Sequence, residues 1–154
     1  RNDLNIEPGY PIANNKIISV RKALKDCVVS ETPSLNDKYG QLWSQIKIGG
    51  NAQDILGTGQ NSCVKLNPNK PSCTLPKLQT GRGFATICHY DEQRAISINE
   101  AKRLCSFPDD FRLIGTYSEQ WARLGNAVMP KMMEAIALNI KENILNNRGI
   151  TENA

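Results

Sequence analysis

The chain has 154 residues, 40% of them hydrophobic and 22% charged, which suits one globular domain with its own core. No apolar run approaches ~18 residues and no secretory leader is visible, so nothing predicts a helical membrane span or export. The net charge of +4 is unevenly spread: residues 1–54 hold seven basic and six acidic side chains, residues 91–154 hold eight and nine, and residues 55–90 carry four cations and no acid.

The start, "RNDLNIEPGYPIANN", is polar and broken by Pro8, Gly9 and Pro11, so it is expected to be a loop leaving an earlier element. The chain begins at Arg1 rather than Met, which is expected to mark a cut within something larger. In "SVRKALKDC", Ser19 is a candidate N-cap, and Val20, Ala23, Leu24 and Cys27 follow helical spacing. "ETPSLND" breaks that pattern, and "YGQLWSQI" predicts a short helix or turn anchored by Trp43 and Ile46. The acid-free segment then carries Lys65, Lys70, Lys77 and Arg82 among four glycines and three prolines. Its apolar pieces "CVKL", "CTL" and "FATIC" predict short strands between exposed loops. Such a segment attracts a polyanion, and the plainer alternative is a solvated basic loop.

After it, "RAIS" is expected to be a strand. "SINEAKRLCSF" is a helix opened by Ser97 and Glu100 in capping-box spacing and closed at Pro108. "TYSEQWARL" predicts another short helix. In "RLGNAVMPKMMEAIALNI", Gly125 and Asn126 suggest a tight turn, and Pro130 fits the first turn of a helix running from about Met129 to about Asn146. Met129, Met133, Ile136, Ile140 and Ile144 form one apolar stripe on it. Five cysteines form no C-x-x-C pair, and the lone His89 cannot build a metal site. Reduced thiols in a cytoplasmic protein, with no metal, are the expectation.

The stretch from Arg94 to Ile140 strongly resembles the C-terminal part of DNA cytosine-5 methyltransferases. Arg94, Ser97, Glu100, Arg103, Phe107, Pro108, Asp109 and Phe111 match the family's ninth motif block. Gly125, Asn126, Ala127 and Val128 match its tenth, although Met129 departs from the proline often found there. Upstream, Thr74 and Leu75 match a Thr-Leu pair that precedes the family's Gly-rich recognition loop, here "PKLQTGRG"; "GTGQNS" is similar to an earlier recognition loop. The family's Gly-rich cofactor block, Pro-Cys nucleophile and Glu-Asn-Val block do not occur in these residues. Cys73, with Ser72 between it and Pro71, is no substitute.

The resemblance implies a mixed α/β fold: a strand-and-loop target-recognition lobe plus C-terminal helices that belong to an S-adenosylmethionine-dependent methyltransferase fold. Residues 1–29 would connect from the catalytic domain, 30–93 form the recognition domain, 94–128 hold the ninth block and turn, and 129–147 return as a helix to the catalytic domain. It implies a restriction-modification enzyme that flips cytosine out of duplex DNA and methylates carbon five, with the attacking cysteine outside this chain. Gln60, Asn61, Lys77, Gln79, Thr80 and Arg82 would meet DNA. Arg82 is suited to a bidentate guanine contact, and Lys65, Lys70 and Lys77 to phosphates. Asn126, Ala127 and Val128 would meet S-adenosylmethionine, whose carboxylate suits a helix start. Arg94 and Glu100 would hold the recognition region, and Asp109 and Asp110 would shape a turn rather than catalyse. No catalytic residue is assigned. The partners implied are double-stranded DNA and a missing catalytic domain in the same chain or a partner subunit. Without it the stripe on the last helix needs another cover, such as a second copy. The alternatives are a stand-alone DNA-binding or partner-binding module and the RNA-methylating branch of the family.

Overall fold

The computed structural model describes residues 9–12, 16–57, 63–79 and 86–146. They fall into two units, Ile17–Ala127 and a second made of Arg1–Lys16 with Val128–Ala154.

In the first unit, Ser19 caps α1 (Val20–Leu24), accepting the Lys22 N–H at 3.3 Å. The first two N–H groups of α1, at Val20 and Arg21, donate to the Lys70 and Pro68 carbonyls, each at 2.9 Å. A distant loop thus satisfies groups that every helix start leaves open. The helix stops short of Cys27, because Asp26 takes a left-handed conformation with φ 56°. Asn36 caps α2 (Asp37–Trp43), and a one-turn helix that the sequence pattern did not suggest, α3 (Gln53–Leu56), ends at Gly57 with φ 67°.

The sheet is small. β1 (Val64–Lys65) pairs in parallel with β2 (Ile87–Cys88), Val64 opposite Ile87 and Lys65 opposite Cys88. "RAIS" contributes one antiparallel bridge, Ala95 to Cys88. "CTL" joins no strand; only Leu75 of that piece is buried. Tyr39, Ile46, Ala52, Cys63 and Cys88 form a core cluster, with Leu35, Leu42 and Trp43 packed on it. The Cys63 and Cys88 sulfurs lie 3.0 Å apart as free thiols.

Ser97 and Glu100 make the expected capping box on α4 (Ile98–Leu104). The helix ends before Pro108 is reached. Ser106 turns left-handed at φ 62°, so that its N–H meets the Arg103 carbonyl and the Phe107 N–H meets the Lys102 carbonyl. A second capping box, Thr116 with Glu119, opens α5 (Tyr117–Asn126). That helix runs through Gly125 and Asn126, where a tight turn was expected, and bends into extended backbone only at Ala127 (φ −78°, ψ 148°).

In the second unit, Pro130 occupies the first turn of α6 (Pro130–Ile140), as its fixed φ favours. The helix does not run on regularly to Asn146. It passes into a π-helical turn over Lys141–Leu145, closed by the Asn146 N–H on the Lys141 carbonyl. No residue of α6 or of the π-turn is buried. The Asn139 side-chain amide donates to the Tyr10 carbonyl at 3.3 Å.

Candidate nucleic-acid interface and cofactor segment

The acid-free segment is fastened at its base by a polar side chain. Gln79, expected to face DNA, is buried at 5% exposure. Its Oε1 accepts the Ile87 N–H at 3.1 Å, and its Nε2 donates to the Tyr117 hydroxyl at 2.7 Å. That hydroxyl donates in turn to the Ile96 carbonyl at 2.9 Å. Burial pushes the Tyr117 phenol above its ordinary range, which keeps it a donor. Gln79 therefore pins residue 79 to residue 87, and its burial keeps the amide away from a base edge. Lys77 beside it is exposed, while Gln60, Asn61, Thr80 and Arg82 lie outside the described residues.

Lys65 also departs from expectation. Its ammonium sits 3.7 Å from the centre of the Trp43 ring and donates to the Trp43 carbonyl at 3.3 Å. A cation held over an aromatic face and buried to this degree is an internal fastening and not a phosphate contact. Lys70 remains exposed.

Arg94 and Glu100 form a bidentate pair, with Nη1 to Oε2 at 2.7 Å and Nη2 to Oε1 at 2.9 Å. Glu100 is 2% exposed. Burial raises its carboxyl, but the Arg94 guanidinium and the Ser97 N–H and hydroxyl outweigh that, so its pKa lies below the usual value. Arg94 also holds Glu92 at 2.8 Å. His89 stands beside the pair, its Nε2 3.9 Å from Glu100 Oε1. Its Nδ1 accepts the N–H groups of Asp91 and Glu92 at 3.2 and 3.1 Å. Burial, then the nearby Arg94 charge, lower its pKa against the opposing carboxylates.

Arg103 grips Asp109 (Nε to Oδ1 2.8 Å, Nη2 to Oδ2 2.6 Å) and also donates to the Lys25 and Asp26 carbonyls. Lys102 Nζ adds a bond to the Asp109 carbonyl at 2.7 Å. Asp109 is thus the ion-pair partner of Arg103, and Arg103 itself ties α4 to the loop after α1. Among the described residues no group of His, Cys, Asp or Glu is arranged to hold a metal ion.

Gly125 has a use other than a turn. A methyl group placed there would fall 2.6 Å from the Lys77 Cα and 2.7 Å from the Pro76 carbonyl oxygen. One turn earlier, the fully buried Trp121 donates its Nε1–H to that same carbonyl at 2.8 Å. Asn126 follows on α5 with an exposed side chain. The Ala127 N–H is already spent on the Leu124 carbonyl, and Val128, in the other unit, is 56% exposed. An amide that offers both a donor and an acceptor fits the amino-acid end of a cofactor carrying carboxylate and ammonium. The Ala127 N–H does not. A cavity of about 560 Å³ lies between residues 30–33 and the starts of α4 and α5, lined by Ser30, Asn99, Thr116 and Gln120 among others. It contains none of the expected site residues.

Tyr117 and Trp121 were not singled out from sequence, and Gly125 was read as a turn residue of the tenth block rather than as a close-approach site. Their i, i+4, i+8 spacing was the available signal, since it puts all three on one helix face.

A family model described as C-5 cytosine-specific DNA methylase matches residues 11–142. The type II methyltransferase M.NgoFVII of Neisseria gonorrhoeae is 32% identical over 119 residues, 72% of this chain and 31% of that protein. M.Eco47II of Escherichia coli is 27% identical over 168 residues, covering 91% and 39%. M.AquIB of Picosynechococcus is 31% identical over 112 residues, 66% of this chain and 78% of that protein. Among solved structures, a protein described as a DNA modification methyltransferase encoded within an Escherichia coli prophage superposes with TM-score 0.58 at 28% identity, over 82% of this chain and 32% of that one. The chain spans about a third of the length of the first two relatives and of the solved structure. With the ninth and tenth blocks in place and the family model matched across most of its length, the chain belongs to the C-5 cytosine-specific DNA methylases.

Proposed function

We propose that this chain is the target-recognition and cofactor-facing part of a DNA cytosine-5 methyltransferase. It reads duplex DNA while a catalytic region outside these residues transfers the methyl group. The observation that carries the reading is the closure of residue 79 onto residue 87. It holds together the two described residues that flank Thr80 and Arg82 in the sequence, and Gln79 is joined as well to Tyr117 of α5. Arg82 pairs a guanine edge, Thr80, Gln60 and Asn61 contact DNA beside it, and Lys77 meets phosphate. Asn126, with Ala127 and Val128, contacts S-adenosylmethionine, which supplies the methyl group when bound. Residues 30–93 serve as recognition domain, and residues 129–147 return to the catalytic region.

The test is methyl transfer to duplex DNA by this chain combined with its catalytic region. Arg82→Ala is expected to lose about tenfold in specific binding, one bidentate base contact, with a smaller loss on random sequence. Equal losses would make Arg82 a phosphate contact. Asn126→Ala is expected to raise KM for S-adenosylmethionine, and an unchanged KM removes it from the cofactor site. One observation favours a second reading, a subunit that joins a separately made catalytic chain. M.AquIB, of which this chain covers 78%, is itself a protein of about this length. Activity restored by mixing two separately purified chains supports that form. Activity only from a single fused chain rejects it.

A further inference from the structure

Helix α5 carries the first two residues that match the tenth block, Gly125 and Asn126, of which Asn126 was expected to serve the cofactor. Its buried face does something else. Tyr117, Trp121 and Gly125 stand at i, i+4 and i+8, and each engages one short stretch, residues 75–79. Tyr117 takes the Gln79 amide at 2.7 Å. Trp121 donates to the Pro76 carbonyl at 2.8 Å. Gly125 lets the Pro76 and Lys77 backbone approach to where no Cβ fits. A helix-interior glycine costs about 1 kcal/mol relative to alanine, and here the close approach explains it.

We infer that Tyr117, Trp121 and Gly125 are positioning residues for DNA recognition: α5 is the platform that seats residues 76–79, the described stretch that leads into the recognition segment. This deepens the function proposed above and rests on it. The bonds used are side chain to backbone or side chain to a buried amide, so the platform fixes the path of the stretch without dictating the side chains beyond it. The loop sequence can therefore change while its seat stays the same. The match of Gly125 to the tenth block is then explained by the recognition lobe, while Asn126, one residue on and exposed, is left for the cofactor.

The experiment has two arms and two variants, Gly125→Ala and Trp121→Phe; the second keeps an aromatic ring at the site, removes the donor and leaves a small cavity. In the first arm, hydrogen exchange is followed on the whole chain. The amides of Leu75, Lys77, Gln79 and Ile87 are expected to exchange about tenfold faster in either variant, with α4 unchanged. No change, or uniform acceleration in Trp121→Phe, overturns the platform. In the second arm, the complete methyltransferase acts on a random-sequence duplex library, and the methylated sequences are read. The variants are expected to lose about tenfold in preference for the wild-type target, with KM for S-adenosylmethionine unchanged. An unaltered preference with a raised cofactor KM assigns Gly125 to the cofactor site and overturns the inference. A wild type that methylates no duplex rejects the proposed function, while the exchange arm still decides whether α5 seats the stretch.

Discussion

Helices α5 and α6 follow each other in the chain and look alike as sequences, each an amphipathic run with a well-made start. Their environments differ. α5 buries Trp121 and Leu124 completely and grips a distant loop. α6 buries nothing, and Met132, Met133, Leu138 and Ile140 all stand exposed. Amphipathic patterning shows that a helix has an apolar face, and only the remaining sequence shows whether the matching face is present. For α5 it is. For α6 no residue is buried among the described residues, and the relatives are about three times longer than the span they share with this chain.

The contrast can be broken by mutation. Trp121→Ala should cost about 4 kcal/mol, from lost burial, the cavity left behind and an orphaned Pro76 carbonyl. Chemical denaturation of the chain measures this, and a cost under ~1 kcal/mol would mean that α5 is as loosely held as α6. Arg94→Ala should cost about 3 kcal/mol, because it strands the buried Glu100 carboxylate. Arg94→Ala combined with Glu100→Gln should recover part of that loss.

Acid sharpens the same comparison, since the groups with shifted pKa values beside α4 and α5 all lie in the first unit. His89 and Glu100 both have folded pKa values below their ordinary ones, so each contributes stability that is present at high pH and lost on acidification. The His89 loss begins as pH falls through 6.5, where the unfolded imidazole charges while the folded one stays neutral, its Nδ1 still accepting two N–H groups. The Glu100 loss follows below 4.5. His89→Asn, which keeps an acceptor, should abolish the first step and leave the second; a single step in both proteins would contradict the assignment. The smallest effect belongs to α6. Met133→Ser or Ile140→Ser should change the stability of the chain by less than ~0.5 kcal/mol. Either should weaken assembly with the catalytic region, as read by methyl transfer at limiting chain concentration.

What the sequence made legible was local or carried by motif. The Ser97 and Glu100 capping box depends on residues three apart, and the structure has it. Ser19 and Pro130 open their helices for equally local reasons. The Thr116 and Glu119 box had the same signature and was visible in principle. What escaped were polar groups whose partners lie far along the chain. Gln79 looks like a loop residue until Tyr117, 38 positions away, takes its amide. Lys65 looks like a phosphate ligand until Trp43, 22 positions back, presents its ring and carbonyl. Gly125 was misread for a related reason. A glycine suggests a turn from its own freedom, whereas here the constraint comes from the backbone of Pro76 and Lys77.

The π-helical turn at the end of α6 has a consequence for whatever covers that helix. Bonds from residue i to i+5 insert an extra residue per turn, so the helix surface slips in phase by roughly a quarter of a revolution. A stripe drawn at regular helical spacing from Ile140 continues to Ile144. With the slip, it is Leu145, five residues on and 46% exposed, that continues the line. A complementary surface shaped for an unbroken helix would meet the wrong side chain at its far end. A face that covers this helix would need a matching offset, and if one does, Leu145→Ser should weaken docking more than Ile144→Ser.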